Sequence, residues 1–290
     1  MINNLLNDYK NLIDGYLVET FADRNFDYRE VLDAMDYSVA AGGKRIRPVL
    51  VLEFGKICGT SVESLLPIAC AVELVHTYSL IHDDLPCMDD DDFRRGQPSC
   101  HIKFGEATAL LAGDGLLTMA FELITKSSLS DSAKIKAVNI LSTRAGVHGM
   151  IGGQVVDLAH EGQSVTINQL DTINMLKTSA LIEAACLMGC VDTNDKKIVE
   201  AAKIYAQKLG MAFQITDDIL DVTGDVALLG KPIGSDAENH KDTYVSLLGI
   251  EKCEKIADEL TNDACNALEK ISGDTEFLKA LAMYLCKRNN

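Results

Sequence analysis

Apolar side chains recur at intervals of three and four residues along nearly the whole chain, which is the spacing of α-helices. Strand signals are almost absent, and no linker-like segment divides the 290 residues. We therefore expect an all-α protein with a single domain over residues 1–290, a helical bundle around a central cavity. The predicted helices cover residues 1–21, 27–40, a segment from Pro48, a segment from an N-cap at Ser61 to Leu85, 105–127, 131–161, 167–191, 195–223, 242–271 with a break near Gly249, and 275–288, with a polar loop over 224–240.

An acidic stretch follows the most apolar of these helices. Six of the ten residues from Asp83 to Asp92 are aspartates, and Arg94 and Arg95 come directly after them. Acidic runs are usually solvated loops, but this one begins in the last turn of a buried helix, where the helix dipole disfavours negative charge. Carboxylates suit Mg²⁺, which also binds phosphate oxygens, and arginines bind the same phosphates. The stretch therefore indicates a site for a phosphorylated ligand.

A second acidic motif lies in another apolar helix. Asp217, Asp218 and Asp221 are three and four residues apart, so the three carboxylates share one helical face. Like charges at this spacing repel each other unless a cation lies between them. Two such motifs, each on an apolar helix, predict the two walls of one metal-binding cavity.

The composition narrows the class of partner. The formal net charge is −16 and the sequence pI is about 4.7, which argues against a nucleic-acid partner. Nine cysteines without paired spacing, and no secretory signal, favour the cytoplasm. We expect no apolar run long and uninterrupted enough to cross a bilayer, and hence no stable membrane insertion.

Several basic residues are candidates for phosphate binding. The segment Gly42–Arg47 puts three cations beside two glycines at a helix start, which is either an anion site or ordinary helix-flanking charge. Lys177 interrupts an apolar helix and is either a functional cation or a snorkelling surface residue. Lys231 lies in a Gly-Lys-Pro loop soon after the second acidic motif. His76 lies two helical turns before Asp83 on the same face, as a neutral core residue or a ligand.

The segment 146–157 contains four glycines within a predicted helix. Each glycine lowers intrinsic helix stability by up to about 1 kcal/mol relative to alanine. Such glycines permit either close helix packing or a kink beside a bulky ligand, and both interpretations are open.

These motifs occur together and in one order along the chain. They are Gly43–Pro48, Ser79–Pro86 with Arg94–Gly96, Leu111–Asp114, Gly152–Gln154, Lys177–Thr178, Phe213–Asp221 and Gly230–Pro232. On these residues the chain resembles the trans-prenyl diphosphate synthases over nearly its whole length, and among them the bacterial enzymes that make farnesyl diphosphate. The resemblance implies the isoprenoid-synthase type of helical bundle, a homodimer, and a magnesium site of three ions.

The resemblance also implies a role for each matching residue. The metal ligands would be Asp83, Asp84, Asp89, Asp217, Asp218 and Asp221. The allylic diphosphate would be bound by Arg94, Lys177, Thr178, Gln214 and Lys231, and isopentenyl diphosphate by Lys44, Arg47, His76 and Arg95. Turnover would depend most on Asp83, Asp84, Asp89, Arg94, Lys177, Asp217 and Lys231.

The expected activity is prenyl transfer from dimethylallyl or geranyl diphosphate to isopentenyl diphosphate. Tyr78 lies five residues before Asp83, where a bulky ring would stop chain growth at farnesyl diphosphate, although plain core packing of Tyr78 fits equally well. A geranylgeranyl diphosphate synthase and a catalytically silent metal-binding or regulatory subunit are the alternatives. A terpene cyclase is disfavoured, because its second metal motif normally mixes Asn, Ser or Thr with acid.

Overall fold

The computed structural model describes residues 2–22, 27–223 and 242–286, and these residues are helical almost throughout. The all-α prediction is confirmed, and the polar loop predicted over 224–240 lies outside the described residues. The elements are α1 (Ile2–Thr20), α2 (Arg29–Ala40), α3 (Ile46–Ile57), α4 (Val62–Asp83), β1 (Phe93–Arg94), β2 (Gln97–Pro98), α5 (Cys100–Phe104), α6 (Glu106–Lys126), α7 (Asp131–Ala145), α8 (Met150–Ala159), α9 (Ile167–Asn174), a π-helix (Met175–Ser179), α10 (Ala180–Gly189), α11 (Lys196–Thr223), α12 (Tyr244–Leu248), α13 (Ile250–Leu268) and α14 (Glu276–Cys286).

Helix α4 is the centre of the bundle. Its side chains are buried from Ile68 to Val75 without interruption, as expected for a helix that is apolar on all sides. Ser61 caps its first turn by accepting a hydrogen bond from the Ser64 backbone N–H at 3.3 Å, as the sequence predicted. Helices α3, α6 and α10 pack around it, so the acidic stretch that follows Asp83 lies at one end of the bundle.

Helices α3 and α10 cross backbone to backbone because both have glycine at the crossing. A Cβ at Gly189 would lie 2.5 Å from the Val51 carbonyl oxygen and 3.0 Å from the Gly55 backbone nitrogen. This crossing joins the centre of the bundle to the helix that follows the π-helix. A smaller apolar cluster, formed by Val165, Leu170, Ile215, Tyr244, Cys253 and Ala257, holds the part of α11 that carries the second acidic motif.

The structure differs from the predicted elements in three places. The segment 131–161 is two helices, separated by a turn over residues 146–149. Glycine fits this turn, since a Cβ at Gly149 would lie 1.9 Å from the Arg144 carbonyl oxygen. The segment 167–191 contains the π-helix in its middle. The hairpin β1–β2, with Phe93 opposite Pro98, and the short α5 were not predicted. The predicted break at Gly249 is confirmed, with φ of 80°.

The expectation of no membrane-length apolar run is wrong on length and composition. Within the described residues, α4 and α6 each have a mean hydropathy of 1.5 over an 18-residue window. The α4 window is 72% buried inside the protein, and the α6 window is 39% buried. Helix α4 is therefore a core helix, whereas α6 leaves much of its apolar surface exposed.

Candidate active site

Asp83 is the last residue of α4, and its carboxylate stands at the end of the bundle. Burial raises the pKa of Asp83 to about 6; Asp89 and Asp84 add to this effect, while Lys177 and Arg94 oppose it. The Asp89 backbone N–H donates to the Asp83 carbonyl oxygen at 2.8 Å, so the loop folds back over the helix end. A cation bound at these carboxylates would offset the cost of burying Asp83.

Asp84 is 2% exposed and forms an ion pair with Arg94 of the hairpin. Arg94 Nε donates to Asp84 Oδ1 at 2.9 Å and to Oδ2 at 3.2 Å, and Arg94 Nη2 also donates to Oδ1. Burial raises the pKa of Asp84, and the guanidinium opposes that rise. Sequence analysis predicted a metal ligand at Asp84 and a phosphate-binding cation at Arg94. In this arrangement the two side chains bind each other, and those roles stay predictions.

Lys177 lies in the π-helix, a one-turn feature that often occurs at functional sites. Its Nζ is 2.7 Å from Asp157 Oδ2 on α8. Burial opposes the charge on Lys177, but the carboxylates of Asp157, Asp83 and Asp89 outweigh it and raise the pKa of Lys177. Lys177 is therefore a cation fixed by its ion pair with Asp157 near the acidic end of α4, and it is not a snorkelling surface residue.

Helix α8 reaches the π-helix closely because Gly153 has no side chain. A Cβ at Gly153 would lie 2.3 Å from the Lys177 backbone nitrogen and 2.8 Å from the Leu176 carbonyl carbon. The glycine-rich segment 146–157 thus shows close helix packing, and a kink beside a bulky ligand stays a prediction. The segment makes a close helix contact at Gly153, and its first residues form the turn that separates α7 from α8.

A hydrogen-bonded series connects the π-helix to the second acidic motif. Thr178 Oγ1 donates to Gln214 Oε1 at 3.3 Å, and Gln214 Nε2 donates to Asp218 Oδ1 at 3.0 Å. The backbone N–H of Tyr244 donates to Asp218 Oδ2 at 2.8 Å, so the buried Asp218 holds the start of α12. Both Asp218 oxygens accept hydrogen bonds here, and its predicted role as a metal ligand is untested.

The other two carboxylates of the second motif remain candidates for magnesium. Helix α11 continues unbroken through the motif, so Asp217 and Asp221 share one face, and both are half-buried. Within the described part of the chain, no three His, Cys, Asp or Glu side chains meet as an all-protein metal cage. Mg²⁺ usually takes one or two carboxylates together with waters and substrate phosphates. Asp83 with Asp89, and Asp217 with Asp221, fit that chemistry.

A second group of cations lies where the Gly42–Arg47 loop meets α4. Burial lowers the pKa of His76 well below its usual value, and Arg47 and Arg95 lower it further, so His76 is neutral. Burial and the charge of Arg95 lower the pKa of Arg47, and Arg47 Nε is buried without a hydrogen-bond partner. A bound anion would reduce the repulsion between these cations and accept the hydrogen bond that Arg47 Nε lacks. Lys44 Nζ stands 5.8 Å from the centre of the Tyr284 ring on α14.

Tyr78 is 5% exposed and lies one turn and a half below Asp83 on α4. Its ring packs edge-on against His82, with centroids 5.7 Å apart. His82 Nε2 is 3.0 Å from the Leu110 carbonyl oxygen, and the ring occupies the space over Gly113 of α6. Tyr78 thus packs against His82 of its own helix, and His82 in turn contacts α6. This arrangement is compatible with both interpretations of Tyr78.

Two carboxylates that position cations of the site were not predicted from the sequence. Asp157 bonds Lys177, and Glu73 bonds Arg45 beside the second cation group. Glu73 carries a local signal, because it is a single carboxylate within the apolar run from Ile68 to Val75. Asp157 carries no such signal, and its partner Lys177 comes from another helix. Lys231, predicted to bind the allylic diphosphate, lies outside the described residues.

Comparison with known proteins identifies similar chains. The chain matches the Polyprenyl synthetase family over residues 28–281. Farnesyl diphosphate synthase from Escherichia coli is 46% identical over 272 residues, 91% of each chain. Geranylgeranyl diphosphate synthase from Cyanophora paradoxa is 42% identical over 264 residues, 90% of this chain and 88% of that one. A geranyltransferase structure from Helicobacter pylori, complexed with magnesium and isoprenyl diphosphate, gives a TM-score of 0.85 at 32% identity and covers 98% of this chain and 96% of that chain.

Proposed function

The chain belongs to the polyprenyl synthetase family, and on that premise we propose that it is a farnesyl diphosphate synthase. It is a prenyltransferase that joins isopentenyl diphosphate to dimethylallyl or geranyl diphosphate. The observation that carries this function is the 46% identity to the farnesyl diphosphate synthase of Escherichia coli over 91% of each chain. The grouping of Asp83, Asp89 and Lys177 beside a second set of cations supports the assignment at the level of the site.

The allylic substrate reacts by losing its diphosphate, and the developing negative charge must be stabilised. We assign that diphosphate to the space between the two acidic motifs. Magnesium, when bound, supplies Lewis-acid stabilisation of the departing diphosphate, and we expect three ions. Its proposed ligands are Asp83, Asp84, Asp89, Asp217, Asp218 and Asp221, and the proposed allylic-diphosphate contacts are Arg94, Lys177, Thr178, Gln214 and Lys231.

Two of these assignments require existing contacts to change. Arg94 must release Asp84 before the carboxylate and the guanidinium can meet separate partners. The Lys177 ammonium, which is paired with Asp157, must also contact the substrate diphosphate. In both cases the substrate diphosphate gives the cation an anionic partner, so that the cation stays paired.

Isopentenyl diphosphate is assigned to the second cation group: Lys44, Arg47, His76 and Arg95. The buried and unpartnered Nε of Arg47 supports this, because a phosphate oxygen would accept its hydrogen. The double bond of isopentenyl diphosphate then attacks the allylic carbon, and the departed diphosphate takes the released proton. The apolar surface around Tyr78 excludes water, which would otherwise capture the allylic cation.

The location and assembly are also proposals. All nine cysteines are free thiols, which supports a reducing cytoplasm. We expect a homodimer, because α6 and α8 present apolar side chains to solvent, among them Leu110, Leu111, Ile151, Val155 and Leu158. The single domain over residues 1–290 remains a proposal.

Incubation with Mg²⁺, isopentenyl diphosphate and each allylic starter tests the function. A farnesyl diphosphate synthase gives a 15-carbon product from dimethylallyl and geranyl diphosphate, and gives nothing without isopentenyl diphosphate. A silent subunit gives no product under any condition, which would refute the proposal. A 20-carbon main product would support the second candidate, a geranylgeranyl diphosphate synthase. This candidate is favoured by the 42% identity to the Cyanophora paradoxa enzyme.

A further inference from the structure

Arg45 differs from the two cations that flank it in the Gly42–Arg47 loop. It is 3% exposed, whereas Lys44 is exposed and Arg47 is half-buried. Its backbone is left-handed, with φ of 51°, a conformation that a side-chain-bearing residue adopts only where its surroundings fix it. Arg45 is also the residue from which α3 begins.

The Arg45 guanidinium bonds three different helices. Its Nε donates to Asp14 Oδ1 of α1 at 2.8 Å, and its Nη1 donates to Glu73 Oε1 of α4 at 2.8 Å. Its Nη2 donates to the Val39 carbonyl oxygen in α2 at 2.7 Å. These bonds use the planar fork of arginine in three directions, which a lysine ammonium on a flexible stem would not reproduce.

The flanking residues face other groups. Lys44 Nζ stands over the Tyr284 ring, and Arg47 Nε is buried without a partner. Gly43 lies against the Arg95 guanidinium, whose nitrogens would be 3.0 Å from a Cβ at that position. The loop therefore carries Lys44 and Arg47, and Gly43 lies against Arg95, while the three bonds of Arg45 tie the loop to α1, α2 and α4.

Glu73 couples Arg45 to the cation group electrostatically. Burial lowers the pKa of Arg47 and of Arg95, and the charge of Glu73 opposes both shifts. Burial also opposes the charge on Arg45, but Glu73 and Asp14 outweigh it and raise its pKa. One buried carboxylate, 2% exposed, thus both fixes the loop and reduces the repulsion within the group.

We infer that Arg45 is a positioning residue for isopentenyl diphosphate: its bonds to Asp14, Val39 and Glu73 fix the loop that presents Lys44 and Arg47. This inference rests on the proposed function, because it takes the second cation group as the isopentenyl diphosphate pocket. Arg45 does not touch that substrate. Loss of Arg45 should weaken the binding of isopentenyl diphosphate and leave the binding of the allylic substrate unchanged.

Arg45→Lys and Arg45→Met test the inference, with Arg144→Met as the matched control. Arg144 also forms an ion pair with a buried carboxylate, Glu183, but that pair joins α7 to α10 and includes none of the cations in the pocket. For each variant, steady-state kinetics gives KM for isopentenyl diphosphate and for geranyl diphosphate. Calorimetric titration gives the dissociation constant of isopentenyl diphosphate alone, and thermal unfolding gives Tm.

Both Arg45 variants should raise KM and the dissociation constant of isopentenyl diphosphate by about tenfold or more, with KM for geranyl diphosphate within about twofold of wild type. Arg144→Met should lower Tm without this selectivity. An unchanged isopentenyl diphosphate affinity in Arg45→Lys, which keeps the charge and disturbs folding least, would overturn the inference. An equal loss for both substrates in the Arg45 variants and in Arg144→Met would reduce Arg45 to a structural ion pair. A wild-type protein that binds no isopentenyl diphosphate would instead refute the proposed function.

Discussion

The position of Asp83 at the end of a buried helix makes the stability of the protein depend on pH. Burial raises its pKa from 3.8 to about 6, so the folded protein holds this proton more tightly than the unfolded chain does. The stability that Asp83 contributes is therefore complete below the unfolded pKa and is lost as the pH rises through the folded pKa. A divalent cation reverses that loss, because it favours the carboxylate.

We expect added Mg²⁺ to raise Tm more at about pH 7.5 than at about pH 5, where Asp83 holds its proton. Differential scanning calorimetry with and without Mg²⁺ at the two pH values measures the difference. Asp83→Asn should reduce the pH dependence of the Mg²⁺ effect while leaving a folded protein. An equal Mg²⁺ effect at both pH values in the wild type would contradict the assigned role of Asp83.

Asp83→Ala gives a separate test through activity. Loss of this carboxylate removes a proposed metal ligand, so turnover should fall by about 100-fold or more. The far-ultraviolet circular dichroism spectrum should remain that of the wild type, since Asp83 ends α4 and does not pack inside it. Turnover close to that of the wild type would show that Asp83 is not part of the reaction.

Tyr78 decides between product lengths if its ring limits the cavity. Tyr78→Ala should lengthen the main product from 15 to 20 carbons, because removal of the ring opens space below the reacting end. Chromatography of the dephosphorylated products measures this, and Tyr78→Phe, which keeps the ring, should retain the 15-carbon product. The alanine variant should lose about 3–5 kcal/mol of stability, so the assay is run well below its Tm. An unchanged product profile would leave Tyr78 as plain core packing.

The candidate site residues could be selected from the sequence, and their roles stay predictions, whereas their partners in the structure could not be selected. The acidic motifs and Lys177 are visible because charge in an apolar helix is locally unusual. The Lys177–Asp157 pair depends on how the π-helix and α8 pack. The Asp84–Arg94 and Arg45–Glu73 pairs depend on how a hairpin and a loop fold against α4. Residue type and spacing specify which groups are present, and tertiary packing selects which of them meet.

The π-helix and α8 form the element contact that fixes Lys177. Gly153→Ala would put a Cβ 2.3 Å from the Lys177 backbone nitrogen, and backbone atoms cannot move aside as a flexible side chain can. We expect a loss of about 1–3 kcal/mol in the free energy of unfolding and at least about a tenfold loss of kcat/KM for the allylic substrate. Chemical denaturation and steady-state kinetics measure the two effects.

Gly15→Ala is the control for that substitution. Gly15 is also within a helix, and a Cβ there meets nothing within 4 Å. Alanine should therefore raise the free energy of unfolding by up to about 1 kcal/mol and leave kcat/KM unchanged. If Gly153→Ala behaves in the same way as Gly15→Ala, the close approach of α8 does not position Lys177.

Helix boundaries were predicted well wherever apolar periodicity ended at a glycine or a cap, as at Ser61 and Gly249. The π-helix was missed because one extra residue per turn leaves the apolar pattern of 167–191 nearly unchanged. The break between α7 and α8 was not placed, because the four glycines of 146–157 fitted either close packing or a kink. Both errors lie beside Lys177, where the local pattern and the required geometry differ.

At the scale of the whole molecule, α6 is a long apolar helix with much of its surface exposed. Its hydropathy of 1.5 equals that of the core helix α4, yet its window is 39% buried against 72% for α4. Leu111 is 58% exposed, and on α8 Val155 is 60% exposed with Ile151 one turn away at 40%. Stable protein interfaces remove about 1,600 Å² from water, and we expect such an interface to include these side chains.

We therefore expect a mass near twice 31.5 kDa by light scattering, since the chain itself is 31.5 kDa. Leu111→Glu and Val155→Glu should raise the dimer dissociation constant by about 100-fold or more, because each would bury an unpaired carboxylate in an apolar contact. Val18→Glu is the control: Val18 is 64% exposed on α1, away from α6 and α8, and its substitution should leave the mass unchanged. The net charge of −16 opposes self-association. Added salt screens this repulsion, so it should strengthen a dimer that is held by apolar contacts. A wild-type mass of one chain at both low and high salt would show that the apolar face of α6 serves some contact other than a second copy.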